Sequence, residues 1–151
     1  MADTVDTADT VNTYELTLGV LASTPAMLDA LLQPLPPAVW ARSPAAGEWS
    51  PREVLAHLLQ VETAVIPVRV RRMLAEDGAS LTSPEPPSAS APSTPPSPLE
   101  MLATWRSARV DNLAFLRTLT PEQLAQTGQH PRFGRISARE HIIEWAYHDL
   151  E

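Results

Sequence analysis

Ser50-Pro-Arg-Glu-Val-Leu-Ala-His-Leu58 spells out a helix start. In the pattern Ser/Thr-x-x-Glu/Gln the first side chain accepts the N–H of the fourth residue. The fourth side chain reaches back to the N–H of the first, so two orphan donors are satisfied at once. Proline in second place lacks an N–H where a helix has no use for one. Working outward, the same box recurs at Ser97-Pro98-Leu99-Glu100, Thr120-Pro121-Glu122-Gln123 and Ser137-Ala138-Arg139-Glu140. Four such starts, with no apolar alternation of strand length, predict an all-α chain.

The first box opens a helix to about Leu74, with Val54, Leu55, Leu58, Val61, Val65 and Val68 as a broad apolar face and a kink expected at Pro67. A helix from about Leu99 to Leu119 carries Leu102, Trp105, Ala108, Phe115 and Leu119, with Asn112 interposed. Another, from about Thr13 to Gln33, carries Leu18, Leu21, Leu28, Leu31 and Leu32 and should bend at Pro25, where Thr24 can cap a restart. The last begins after Ser137 and runs to the end of the chain with a stripe of Ile142, Ile143, Ala146 and Leu150. Short extra helices are expected near Pro37–Ala41 and Pro121–Ala125. The fold class is therefore a four-helix bundle, expected to occupy residues 13–151 as one domain behind a disordered acidic tail, residues 1–12. The segment from Gly78 to Pro98 holds seven prolines and six serines. It reads as a mobile crossover between helices two and three, long enough to let that pair run parallel.

Composition narrows the chemistry. The chain has no cysteine and its eleven basic residues are all arginine, so thiolate metal sites, cysteine nucleophiles and catalytic lysine are excluded. A net charge of -7 argues against nucleic acid as a partner. The N-terminal residues carry aspartates and no basic residue, unlike an export signal, and no apolar run is expected to approach the ~20 residues of a membrane span. A cytoplasmic protein is the expectation.

Four histidines remain. His57 lies between Val54 and Val61 at helical spacing, so its ring should face the bundle or its rim; a core histidine bonded to a backbone group or carboxylate and a metal ligand both fit. On the last helix His148 shares a flank with Glu144, Trp145 and His141, away from the apolar stripe, and reads from the residues alone as part of a solvated face. His130, in Gly128-Gln-His-Pro-Arg-Phe-Gly134, reads as an exposed loop residue.

Gly47-Glu-Trp-Ser-Pro-Arg-Glu-Val-Leu-Ala-His57-Leu and Ser137-Ala-Arg-Glu-His-Ile-Ile-Glu-Trp-Ala-Tyr-His148-Asp-Leu together resemble the two signature helices of the DinB/YfiT-like metalloenzymes: a Trp-Ser helix start leading to a histidine, then a C-terminal His-Asp pair. The resemblance covers essentially residues 13 to 151. It implies a crossover bundle with helices two and three parallel, commonly a homodimer, holding a divalent metal, nickel or zinc, on three histidines with positions open for water or substrate. Carried onto this chain, the ligands are His57 and His148. The third would follow Glu151, the last residue, so either the C-terminal helix is truncated here or Glu151 substitutes as an oxygen ligand. The activity implied is a low-molecular-weight-thiol-dependent S-transferase or isomerase acting on a small-molecule substrate. A metal-dependent hydrolase would use the same ligands, and a metal-free, stress-associated binding domain is the competing class.

Overall fold

The computed structural model describes residues 7–82 and 95–150, with side chains from Thr13 onward. Four long helical segments form the bundle. They are α1 (Thr7–Leu32), α3 (Pro51–Gln60) continued through a π-helical turn (Val61–Val65) into α4 (Ile66–Ala75), α5 (Pro98–Leu116) and α7 (Ala138–His148). The short helices α2 (Pro37–Trp40) and α6 (Pro121–Ala125) lie at the expected places. All four capping boxes form, at Ser50/Glu53, Ser97/Glu100, Thr120/Gln123 and Ser137/Glu140. Helix α1 begins six residues before the expected Thr13, so residues 7–12 of the expected tail are helical, and Pro25 lies inside it without a break.

Side-chain pairs fix the directions of the helices. Arg52 donates to the Pro96 carbonyl (2.9 Å), Leu55 packs with Met101 and Leu102, and Glu62 meets Arg109. Contacts thus advance together along both helical segments, and α3 runs parallel to α5. The first helix runs against α5: Tyr14 Oη donates to the Leu116 carbonyl (2.9 Å), while Asp29 pairs with Arg106 (2.8 Å). The last helix runs against α3–α4, with His148 near His57 and Ala138 packed with Met73. Leu21, Val70, Leu116, Ile142 and Trp145 fill the main core.

Pro67 was expected to kink its helix; its effect appears one turn earlier. The N–H of Ile66 bonds to the Val61 carbonyl, a π-type step, and Pro67 has no N–H to offer. The Glu62 carbonyl, released by both, accepts from Asn112 Nδ2 at 2.9 Å. The turn swings Glu62 into the core at 1% exposure. Val54, by contrast, expected on the core face, is exposed.

An addition to the expected helices is a small sheet, ordered β1-β2-β3, of β1 (Ala79–Ser80), β2 (Thr127–His130) and β3 (Gly134–Ser137). The first pair is parallel and the second antiparallel. Gly134, at φ 72°, closes the turn between β2 and β3. The crossover thus begins as an anchored strand: Leu81 is fully buried, its N–H bonds to the Gln129 carbonyl (3.0 Å), and the absent side chain of Gly128 leaves its room. Residues 83–94 lie outside the described residues, as do the first six of the expected tail.

The segment Thr13–Leu32 of α1 is, at mean hydropathy 1.3, long and apolar enough to cross a membrane by composition. The expectation that no stretch would approach this was too strict, because the only charges there, Glu15 and Asp29, fall near its ends. Tyr14, Leu18 and Leu21 of this helix join the core, while Leu16, Met27 and Leu31 are exposed.

Candidate metal centre

Helix α7 brings the four histidines together in two groups, one at each end. At its C-terminal end His148 Nε2 stands 3.1 Å from Nε2 of His57, in the last turn of α3. The rings are tilted, with centroids 5.2 Å apart, and the indole of Trp49 meets His57 edge-on at 5.1 Å. A surface groove of about 350 Å³ opens beside them, lined by Trp49, Glu53, Ala56, His57 and Gln60. Burial and the neighbouring His148 push the His57 pKa below its ordinary value, which favours the neutral ring a metal needs. Two nitrogens bound tetrahedrally to one ion at 2.0–2.1 Å stand about 3.3 Å apart. The observed separation therefore suits two ligands of one ion. Nδ1 of His148 is buried and has no hydrogen-bond partner among the described residues.

Beneath this pair lies a charged network that sequence reading did not find. Arg109, on α5 and 1% exposed, grips both oxygens of Glu62 (2.9 and 2.6 Å), the Leu21 carbonyl (2.9 Å) and Asp149 Oδ2 (2.6 Å). Asn112 Nδ2 also donates to Glu62 Oε1 (2.9 Å). The indoles of Trp105 and Trp145 flank the guanidinium at 4.6 and 5.3 Å. Asn112 in the apolar stripe of α5 was the one visible sign of a polar core. Arg109 stands seven residues after Leu102 and four after Trp105, on the same face, so the spacing could have found it.

At the other end of α7, His130, His141 and Glu144 offer ligand atoms within 4.8 Å of one another, a spacing that fits a metal ion. His141 is fully buried and its Nδ1 is 2.8 Å from Glu144 Oε2. His130, expected to be exposed, is 8% exposed at the end of β2. Both its nitrogens are engaged: Nδ1 accepts from the N–H groups of Arg132 and Phe133 (3.2 and 3.3 Å), and Nε2 faces Arg69 Nη1 at 3.1 Å. A guanidinium thus already stands against one of the three candidate ligands. The flank expected to be solvated is partly buried instead, with His141 at 0% and Trp145 at 1% exposure and Glu144 and His148 between buried and exposed, because α1 and α4 pack on α7, while Leu150 of the expected stripe is exposed.

A family model described as the DinB superfamily matches residues 21–151. The chain belongs to the DinB superfamily. Among solved structures, YfiT from Bacillus subtilis, described as a probable metal-dependent hydrolase with an unusual four-helix bundle topology, aligns at TM-score 0.78 with 20% identity, covering 99% of this chain and 85% of that one. The four-helix bundle protein TT2238 aligns at TM-score 0.61 with 23% identity, covering 91% and 92% of the two chains. No curated protein matches in sequence. These likenesses establish the four-helix bundle. Of the expected ligands, His57 and His148 stand together; Glu151 lies outside the described residues.

Proposed function

We propose that this DinB-superfamily chain is a metal-dependent enzyme whose divalent ion, nickel or zinc, is held by His57 and His148. The observation that carries the reading is the 3.1 Å approach of two Nε2 atoms from separate helices beside an open groove. Bound there, a divalent ion supplies Lewis acidity and lowers the pKa of a ligated water or thiol. The protein side of the chemistry is positional: α3 and α7 present the imidazoles, and the Trp49 indole walls the side on which a small substrate would approach. Activation of water, giving hydrolysis, is supported by the likeness to YfiT. Use of a low-molecular-weight thiol, giving S-transfer or isomerisation, is what the motif resemblance implies, and the open groove gives room for such a co-substrate. A cytoplasmic homodimer completes the proposal, with exposed Leu16, Met27 and Leu31 on α1 and Val110 on α5 as apolar surface for pairing.

The test is metal content after purification without chelator, followed by reconstitution with nickel or zinc. The parent and His141→Ala should hold the ion and His57→Ala should lose it. Retention in His57→Ala together with loss in His141→Ala would move the centre to the other end of α7. If none of the proteins binds an ion, the chain is a metal-free binding domain.

A further inference from the structure

The buried network under the histidine pair has an unbalanced charge. Two carboxylates, Glu62 and Asp149, face one guanidinium, Arg109, and all three side chains are at most 2% exposed. One formal negative charge is left over. Burying a charge without a counter-charge is costly, and the cost is relieved by a cation placed nearby. The chain indicates where. Asp149 directly follows His148, and Glu62 lies five residues beyond His57 in the π-helical turn that continues its helix. Arg109 therefore ties together the two segments that carry the imidazoles.

We infer that Glu62, Arg109 and Asp149 are positioning residues for the His57/His148 site: the guanidinium locks the two imidazole-bearing segments in register, and the surplus carboxylate draws a divalent cation to the pair. This rests on the metal reading above. Arg109 spends its donors on groups from α1, the π-helical turn and the end of α7, so the last turn of α7 is fixed from within the core and cannot fray as helix ends do. The carboxylate surplus adds attraction in a region of low dielectric, where charges act strongly. Asp149 touches no substrate in this account; it works through His148.

Asp149→Asn removes the surplus charge and keeps an oxygen for Arg109; Asp29→Asn, which neutralises a carboxylate in the α1–α5 pair with Arg106, is the control. Cobalt(II) affinity by calorimetry, the cobalt absorption spectrum and the metal-free unfolding midpoint are read on each protein. Cobalt affinity should fall at least tenfold in Asp149→Asn and stay unchanged in Asp29→Asn, while the metal-free midpoint of Asp149→Asn is no lower than the parent's. An ion pair that serves only the fold would behave oppositely, lowering the midpoint and leaving affinity and spectrum alone, and that result overturns the inference. Equal losses in both variants, a general charge effect, overturn it too. Should Asp149→Asn not fold, Asp149→Ser is judged by the same criteria. A parent that binds no cobalt sinks the metal reading and this inference with it, whereas a parent that binds and an Asp149→Asn that binds equally sink the inference alone.

Discussion

The two ends of α7 carry similar side chains in opposite states. At the N-terminal end His141 and Glu144 pair with each other, and His130 is held by two backbone N–H groups and Arg69. At the C-terminal end His148 and His57 have only each other at Nε2, above a network with more negative than positive charge. Each end also holds a buried imidazole nitrogen with no hydrogen-bond partner among the described residues, Nε2 of His141 at the first and Nδ1 of His148 at the second; what separates them is that a guanidinium stands against the first cluster, whereas at the second two imidazole nitrogens face one another. Ligand capacity depends on which nitrogens are already bonded, and a count of histidines does not reveal it.

The strongest way to break this contrast is Arg109→Met. It fills similar volume but leaves Glu62 and Asp149 buried without their counter-ion. Removing one partner of a buried ion pair costs about 3–5 kcal/mol, on the order of 10 °C in melting temperature for a domain of this size. The damage should be local at first: amide exchange in α7 should accelerate near His148 and not near Ala138. A melting temperature within a few degrees of the parent's would mean that the network is not what closes the C-terminal end.

The N-terminal end has its own weak point, at Gly128. A Cβ there would stand 2.8 Å from Leu81 Cγ and Cδ1, and Leu81 is fully buried between β2 and α4 with nowhere to retreat. Gly128→Ala should therefore destabilise by about 1–3 kcal/mol through overpacking. Leu81→Ala in the same chain should recover part of the loss. Unfolding in denaturant measures both, and additive losses in the double variant would show that the two residues do not meet.

Capping contributes less. Ser137 Oγ accepts from the Glu140 N–H (3.2 Å) and Glu140 Oε2 accepts from the Ser137 N–H (2.7 Å), with Ser50 and Glu53 arranged alike. Ser137→Ala and Ser50→Ala should each cost on the order of 1 kcal/mol, and the glycine variants a few tenths. Two alanine variants as stable as the parent would contradict the cap assignments.

Those caps are also where the sequence was most legible. A box of four residues is a local device, so Ser50, Ser97, Thr120 and Ser137 announce their helices without tertiary information. The Pro/Ser-rich crossover was likewise readable as a composition, and with the motif resemblance it pointed to the parallel pair. What stayed hidden depends on partners distant in sequence. Ala79–Ser80 is a strand only because Thr127–His130 lies beside it, and two residues show no alternation. His130 is buried because, as the last residue of β2, it is set against Phe133, His141 and Arg69. Glu62 looks like an ordinary surface charge until the π-helical turn rotates it toward Arg109. The pairing of His57 with His148 came from a family resemblance, since helical spacing alone placed His148 on a solvated flank.

The smallest expected effect separates the two ends by pH. His130 has its pKa lowered, by burial first and by Arg69 next, with Glu144 opposing; His57 has its pKa lowered by burial and by His148. A histidine whose folded pKa lies below its unfolded value binds protons more readily when unfolded, so stability rises with pH through that window. Its contribution is complete above the unfolded value, about 6.5, and is lost as pH falls through the folded one. Metal-free protein should therefore be more stable at pH 7.5 than at pH 5.5. His130→Gln should flatten that slope at the sheet end, and His57→Gln should flatten it separately at the other. Because the two sites lie at opposite ends of α7, the double variant should lose the sum of the two slopes. Denaturant unfolding at four pH values decides it: a slope that survives in both single variants and in the double would assign the acid sensitivity to other groups.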